Sequence, residues 1–187
     1  FKEEISNQLS TKPNYNRQIQ GLKLIRDYKI PIFLTIVISK LNYKHLKEHI
    51  EFIHKNFPNI THFSLNFVEP SGRANINKWI VPSLSETERY IPEAVKYILD
   101  NKLTFRLERV PLCYMDGFEE FSTEVRMPTF KEKRLTYLAP EKKSLTIEDC
   151  PNYYKNKSCD SCWLKELCPG INPNYFNIHG DKEIYPV

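Results

Sequence analysis

The chain has 187 residues, of which 41% are hydrophobic and 13% aromatic, and its formal net charge at pH 7 is +4. This length is enough for one domain with a sizeable core and a small appendage. The lysines are spread along the sequence, and no apolar run approaches the roughly 20 residues that a membrane helix needs. These features argue against a basic nucleic-acid-binding stripe and against a membrane-spanning helix in this sequence, so we expect neither a nucleic-acid nor a membrane partner. Residues 1–5 have no signal-peptide pattern, so we expect a cytoplasmic protein.

The first predicted elements are a helix and a strand. Ile19, Leu22 and Ile25 recur at helical spacing, which predicts an amphipathic helix over residues 13–28. Residues 32–38 form a nearly continuous apolar and β-branched run. Such a run is typical of a strand that is covered on both faces, as in a parallel sheet.

A second helix and a second strand follow. Leu46, Ile50 and Ile53 predict the buried stripe of the helix, and residues 61–68 predict the strand. Strand, helix and strand in this order form the unit of a parallel α/β sheet, with a right-handed crossover. The fold class predicted for the first part of the chain is therefore α/β.

A third helix and a third strand complete this part. We expect the helix to begin at Ser85, with Glu88 as the second member of a capping box, and to end at Leu99. Residues 103–108 alternate in polarity, which predicts a strand. A sheet that opens on a helix and has no phosphate-binding glycine loop is typical of the later part of a larger α/β domain.

The character of the sequence changes near Cys113. From there the regular periodicity fades, prolines recur, and charged residues crowd residues 119–143. We therefore predict two domains, 1–112 and 113–187.

The tail carries the pattern with the most chemical meaning. Cys159, Cys162 and Cys168 follow a Cys-x2-Cys-x5-Cys spacing, and the chain has only five cysteines. A tight turn brings the sulfurs of Cys-x2-Cys to one side, and a further turn can return Cys168 to the same metal centre. Cys150 and Cys113 are both candidates for the fourth ligand. This spacing leaves an iron-sulfur cluster and a zinc ion open as alternatives.

Residues 69–74 directly follow the second predicted strand. In parallel α/β folds, ligands bind where the carboxyl ends of strands open into loops. The segment Glu-Pro-Ser-Gly-Arg-Ala is therefore a candidate binding loop, although a Ser-Gly turn is also common between a strand and a helix.

These segments together resemble the radical S-adenosylmethionine (SAM) enzymes that have a C-terminal auxiliary-cluster domain of the SPASM or twitch type. The resemblance is carried by residues 21–31, 37–42 and 63–74, and by the cysteines of the tail with Gly170 and Tyr175. It implies the later half of a partial (β/α)6 barrel over residues 1–112, followed by a small cysteine-rich domain. It also implies that an N-terminal half of the barrel is missing from this sequence.

The resemblance assigns roles to particular residues. It implies that Val68, Ser71 and Gly72 lie beside the adenine of SAM, and that the tail cysteines bind an auxiliary [4Fe-4S] cluster. A full SPASM domain has a further cysteine where this sequence has Asn172, so one auxiliary cluster is expected instead of two. Twitch-type domains take ligands from just after the barrel, where Cys113 and Cys150 lie, so the resemblance leaves the fourth ligand open between these two cysteines.

The defining Cys-x3-Cys-x2-Cys loop of the family is absent from this sequence. The SAM-cleaving [4Fe-4S] cluster therefore belongs, in this interpretation, to the full-length parent protein. The resemblance implies a radical SAM oxidoreductase or maturase whose substrate is a peptide or a protein. The alternative is a zinc-binding interaction module without catalytic activity.

Overall fold

The computed structural model describes residues 2–28, 30–132, 134–137, 145–148 and 153–187. Its internal contacts divide the chain into two units, Phe1–Arg106 and Leu107–Val187. The sequence analysis placed a domain boundary slightly later, after residue 112.

The first unit alternates helices with the strands of one sheet. Three strands form an open parallel sheet in the order β1-β2-β3, which confirms a mixed α/β fold. The half-barrel interpretation of this sheet stays a prediction. The elements in chain order are α1 (Glu3–Leu9), α2 (Tyr15–Asp27), β1 (Ile32–Ile38), α3 (Leu46–Asn56), β2 (Ile60–Phe67), α4 (Gly72–Ile76), α5 (Leu84–Thr87), α6 (Tyr90–Asp100) and β3 (Thr104–Glu108).

The strands lie close to their predicted positions. β1 has the predicted bounds, and β2 and β3 each begin one residue away from the predicted start. β1 and β2 pair in parallel, with Phe33 opposite His62 and Ile38 opposite Phe67. The helix α3 connects the two strands, so the predicted strand-helix-strand unit is confirmed.

The interior of the first unit is formed by large apolar side chains. Leu46, Ile50 and Ile53 of α3 are buried as predicted, and α3 packs against α6 and β2. Phe63 and Leu65 of β2 are completely buried. Each such side chain contributes roughly 1.5–3 kcal/mol through removal of apolar surface from water, so burial accounts for the order of this unit.

The predicted capping box is shifted toward the N-terminus. The sequence analysis expected Ser85 with Glu88, whereas the structure has Ser83 with Glu86. The N–H of Glu86 donates to Ser83 Oγ at 3.2 Å, and the N–H of Ser83 donates to Glu86 Oε2 at 2.9 Å. This earlier start buries Leu84, so core packing selects between two overlapping Ser-Glu patterns.

The strand β1 lies at one edge of the sheet in the described part of the chain. The carbonyl of Ile38 accepts a hydrogen bond from the segment after β2. Because successive residues of a strand point their backbone groups to opposite sides, the carbonyls of Phe33, Thr35 and Val37 face the other edge. Asn42 Nδ2 donates to the carbonyl of Val37 at 2.8 Å, and this bond closes the end of that edge.

The second unit has shorter elements. A two-stranded antiparallel sheet pairs β4 with β5, with Arg134 opposite Glu148 and Tyr137 opposite Leu145. Much of the tail consists of turns. The elements after β3 are α7 (Thr123–Thr129), β4 (Arg134–Tyr137), β5 (Leu145–Glu148) and α8 (Pro173–His179).

The described helices are short. The longest of them, α2, has 13 residues, whereas a membrane span takes about 20. Within the described residues, no helix combines the length and the apolar content for crossing a bilayer. The cytoplasmic location stays a prediction.

Candidate functional site

Four cysteines of the second unit line one cavity. Cys113 comes from the turn after β3, and Cys159, Cys162 and Cys168 come from the tail. The sequence analysis predicted the tail trio as one group and left the fourth position open. The structure brings Cys113 to the trio, while Cys150 lies outside the described residues.

Cys159 is positioned by an asparagine that caps a short 3-10 turn. Asn156 Oδ1 accepts hydrogen bonds from the N–H of Ser158 at 2.9 Å and of Cys159 at 3.3 Å. Asn156 Nδ2 donates to the carbonyls of Asp181 at 3.1 Å and Ile184 at 3.3 Å. Asparagine is a favoured cap because its carbonyl oxygen reaches such N–H groups. One side chain therefore joins the first cysteine turn to the end of the chain.

The other two tail cysteines lie on successive turns. The N–H of Cys162 donates to the carbonyl of Cys159 at 3.1 Å, and the N–H of Lys165 donates to Cys162 at 3.2 Å. The N–H of Cys168 donates to the carbonyl of Leu164 at 2.9 Å, and the Leu164 side chain is buried. The x2 and x5 spacings thus form two tight turns that return to the same cavity.

Gly170 sits directly after the last cysteine. Its N–H donates to Cys168 Sγ at 3.4 Å, a contact that stabilises negative charge on the sulfur. Its φ is +88°, and an added Cβ would lie 2.4 Å from the carbonyl oxygen of Tyr154. Tyr154 exchanges two backbone hydrogen bonds of 2.9 Å with Ile171, so this oxygen has little freedom to move. Glycine is therefore required at this position.

Two tyrosines tie Cys113 to the end of the chain. Tyr185 Oη donates to the carbonyl of Cys113. Tyr114 Oη donates to the carbonyl of Glu183 at 2.7 Å, and the rings of Tyr114 and Tyr185 are 5.5 Å apart. These contacts hold a residue from the middle of the chain against the tail.

The turn that leads from β3 to Cys113 begins at a left-handed residue. Arg109 has a φ of +63°, and its N–H donates to Glu124 Oε1 at 2.8 Å. Ser122 Oγ donates to Glu124 Oε2 at 3.1 Å, and burial raises the pKa of Glu124. A left-handed non-glycine residue costs on the order of 1–3 kcal/mol unless its surroundings hold it in place. The carboxyl of Glu124 provides that support.

Burial shifts the acidity of the thiols. It raises the pKa of Cys113 to about 11, and negative charge on Cys168 and Cys159 adds to the shift. Burial also raises the pKa of Cys159, although Lys155 acts in the opposite direction. Both thiols are therefore protonated at neutral pH in the metal-free chain, and metal binding would release their protons.

The donor set of the cavity consists of sulfur atoms. All four cysteines are free thiols. Thiolates suit iron-sulfur clusters and zinc, so the residues fit either group by chemistry. Among the described residues, no three His, Cys, Asp or Glu side chains are close enough together to hold a single metal ion.

The predicted SAM-binding residues lie in the first unit, after β2. The N–H of Val68 donates to the carbonyl of Ile38 at 2.9 Å. Ser71 and Gly72 are exposed and begin α4, where Gly72 has a φ of +51°. This is the carboxyl end of a parallel strand, the usual position of a ligand in α/β folds. The role of these three residues stays a prediction.

The sequence analysis missed several residues of the cysteine cavity. Asn156 had a detectable signal, because an asparagine three residues before Cys159 can cap the turn that carries it. Lys155 and Lys165 also line the cavity and had only their positions near the cysteines as a signal. Tyr185 had none, since its partner Cys113 is distant in sequence.

Comparisons of the chain with protein-family models, with curated proteins and with solved structures found no match. The likeness to radical SAM enzymes and to SPASM or twitch domains therefore stays a prediction. The cysteine cavity is interpreted below from its own residues.

Proposed function

We propose that Cys113, Cys159, Cys162 and Cys168 bind an iron-sulfur cluster. We propose further that the chain is the auxiliary-cluster part of a radical SAM oxidoreductase or maturase that acts on a peptide or protein. The observation that carries the first proposal is the convergence of four thiols, from two distant parts of the sequence, on one cavity. A spacing of three cysteines alone would leave the fourth ligand open.

A cluster and a zinc ion require different arrangements of the sulfurs. A tetrahedral zinc site needs every sulfur about 2.3 Å from the same point. In a [4Fe-4S] cluster each thiolate binds its own iron atom. Four thiols that line one cavity supply the ligand number that either group needs, and the reconstitution described below separates the two.

The charges around the cavity also suit a cluster. Thiolate ligands and bridging sulfides give an iron-sulfur centre excess negative charge. Lys155 and Lys165 line the cavity, and Lys155 Nζ donates to the carbonyl of Lys165 at 2.8 Å. This bond holds one ammonium group near the sulfurs, where it would offset part of that charge. The N–H of Gly170 adds a donor to Cys168.

A bound cluster would supply electron transfer or a binding point for the substrate. The chain's own residues orient the ligands: Asn156 aims Cys159, Tyr185 holds Cys113, and Gly170 contacts Cys168. Val68, Ser71 and Gly72 are the proposed SAM contacts of the first unit. The sequence has no Cys-x3-Cys-x2-Cys loop, so SAM cleavage would depend on residues outside it.

Anaerobic reconstitution of the chain with ferrous iron and sulfide tests the cluster. We expect bound iron and acid-labile sulfide in equal amounts, with broad visible absorbance. Cys113→Ser should lose most of both, whereas Cys150→Ser, the matched control, should retain them. Iron binding that depends on Cys150 and not on Cys113 would overturn the ligand assignment.

The zinc module is the second candidate function, and the same experiment separates the two. Uptake of zinc at the four cysteines, without iron or sulfide, would show that the site holds a structural zinc ion instead of a cluster.

The radical SAM assignment needs its own test. Supplied with SAM and a strong reductant, the reconstituted chain alone should release no 5′-deoxyadenosine above background. Turnover by the chain alone would show that the SAM-cleaving site lies within this sequence.

A further inference from the structure

Two lysines line the cysteine cavity, and they differ in the partners of their ammonium groups. Lys165 Nζ donates to Asp160 Oδ1 at 2.7 Å, so a carboxylate offsets that positive charge. Among the described residues, Lys155 Nζ donates only to the carbonyl of Lys165, at 2.8 Å. A carbonyl oxygen carries no net charge. Lys155 is therefore a cation for which the described residues supply no anion.

The side chain of Lys155 is held along its length. The preceding residue, Tyr154, exchanges two backbone hydrogen bonds of 2.9 Å with Ile171. A Cβ added at Gly170 would lie 3.1 Å from Lys155 Cγ, so the lysine stem runs past this glycine. The carbonyl of Lys165 then fixes the ammonium group. The half-buried lysine therefore stays at the wall of the cavity instead of extending into solvent.

The charge of Lys155 reaches the sulfur of Cys159. Burial raises the pKa of Cys159, and Lys155 opposes that rise. The pKa of Lys165 is raised first by its hydrogen bond to Asp160, and negative charge on Cys159 contributes least. Because Lys165 and Asp160 have opposite charges, their effects at the cavity partly cancel. In the described part of the chain, the positive charge left beside the sulfurs is therefore that of Lys155.

A metal centre bound by four thiolates gains from such a cation. Its excess negative charge increases when the centre takes up an electron. Net charge and the hydrogen bonds to the sulfurs are among the factors that set the reduction potential of an iron-sulfur cluster. A fixed cation attracts the reduced form more strongly than the oxidised form, because the reduced form carries the larger negative charge. The cation therefore makes reduction more favourable.

We propose that Lys155 is the counter-ion of the metal centre in the cysteine cavity, and that its ammonium group raises the reduction potential of the bound cluster. The inference rests on the proposed function, because it requires the four cysteines to hold the cluster. It goes further by assigning to one lysine the control of how readily the cluster accepts an electron. A higher potential favours the use of the cluster as an electron acceptor over a purely structural use.

The reduction potentials of the reconstituted chain and of Lys155→Met test this role. Methionine keeps an unbranched stem and removes the charge. The chains are titrated anaerobically with dithionite, and reduction of the cluster is followed by visible absorbance and by electron paramagnetic resonance. We expect the equilibrium constant for one-electron reduction to fall on the order of tenfold, a shift of about 59 mV toward more negative potential. The reason is the loss of a whole positive charge from a half-buried position.

Further variants separate the charge of the lysine from its packing. Lys157→Met removes the same charge from a nearby exposed position that does not line the cavity. Solvent and salt screen an exposed charge, so we expect the equilibrium constant to change by less than about threefold. Lys155→Arg keeps a positive charge at the original position, because guanidinium is always protonated. Its constant should lie within about threefold of that of the unmodified chain.

Iron and sulfide contents are measured for every chain before its potential. If the unmodified chain bound neither, the proposed function and this inference would both be wrong. Full contents in all chains, with equal potentials for Lys155→Met and the unmodified chain, would overturn this inference alone. A shift in Lys157→Met as large as that in Lys155→Met would do the same. If Lys155→Met did not hold the cluster, Lys155→Arg should still hold it, and loss from both would show that the lysine serves packing instead of charge.

Discussion

The first unit and the tail of the second unit are stabilised in different ways. In the first, a parallel sheet and two helices bury large apolar side chains such as Phe63, Leu65 and Ile98. In the tail, over residues 153–187, the order comes from directed hydrogen bonds around turns, with Asn156 and Gly170 at the centre. The first unit depends mainly on the burial of a large core, whereas the tail combines a few buried side chains, such as Leu164 and Ile171, with caps and close backbone contacts.

The difference determines how each region should respond to change. Hydrophobic burial is non-directional, and its contribution grows with the area removed from water. The net contribution of one hydrogen bond to stability is only about 1 kcal/mol. A small segment that depends on a few hydrogen bonds is therefore barely stable without a disulfide or a bound metal. We therefore expect bound metal to stabilise the tail and to have little effect on the first unit.

Loss of a cysteine ligand should have the largest effect and should separate the two regions. In the reconstituted chain, Cys159→Ser should lose most of the bound metal, because only three of the four proposed thiolate ligands remain. The tail should lose its order as well, because metal binding contributes on the order of 10 kcal/mol to the folding of such sites. Limited proteolysis should then cleave the tail while the first unit stays protected. Unchanged iron content together with an unchanged cleavage pattern would show that Cys159 is not a ligand.

A core substitution should destabilise the first unit and leave the tail unchanged. Phe63 is fully buried, so Phe63→Ala should lower the free energy of unfolding of the first unit by about 3–5 kcal/mol. Phe33→Ala is the control on the same sheet, because Phe33 is 74% exposed and its loss should change stability by about 0.5 kcal/mol or less. Urea denaturation measures both. Equal losses in the two variants would contradict the burial assigned to Phe63.

A backbone substitution tests the geometry of the tail. Gly170→Ala should cost about 1–3 kcal/mol, since an alanine at φ +88° is strained and its Cβ would meet the carbonyl of Tyr154. We expect weaker metal retention under chelator challenge and unchanged unfolding of the first unit. Gly21→Ala is the control, because a Cβ there has open space around it. A fully retained metal in Gly170→Ala would argue against a tight turn after Cys168.

The last pair of effects concerns pH, and the two regions differ in whether acid or alkali destabilises them. His49 has its pKa lowered from 6.5 to about 4, so its contribution to stability is present above pH 6.5 and is lost as the pH falls through about 4. Cys113 has its pKa raised from 9.0 to about 11. Its contribution in the metal-free chain is present below pH 9.0 and is lost as the pH rises through about 11.

Unfolding curves of the metal-free chain across pH measure the loss of stability in acid and in alkali. His49→Gln should reduce the loss in acid alone, and Cys113→Ala should reduce the loss in alkali alone. If either variant changed both losses, the two regions would not titrate independently.

Much of the first unit follows from its sequence. The run at 32–38 is nearly continuous in apolar and β-branched residues, so a strand is the expected element, and β1 has those bounds. The predicted cover on both faces is wrong for the described residues, because Phe33 is 74% and Val37 is 48% exposed. The buried stripe of α3 follows from simple periodicity in the same way. The capping box was harder, because Ser83 and Ser85 both have a glutamate three residues later. Only the tertiary burial of Leu84 decides between them.

The cysteine cavity could be predicted only in part. Cys159, Cys162 and Cys168 are close in sequence, so their spacing implies a shared centre before any fold is known. The placement of Cys113 beside them depends on Tyr185 and on the supported turn at Arg109, which are long-range contacts. Sequence periodicity reports neighbours within one element and cannot report such pairs.

The amide of Asn42 gives the edge of β1 a defined length. By occupying the carbonyl of Val37, it leaves an incoming strand the acceptors at Phe33 and Thr35 and no continuation beyond them. An edge without such a stop can recruit strands over its whole length and seed fibrils. Asn42 would thus shorten the edge along which two copies of the chain could pair, which makes Asn42→Ala the variant to examine for slow fibre formation.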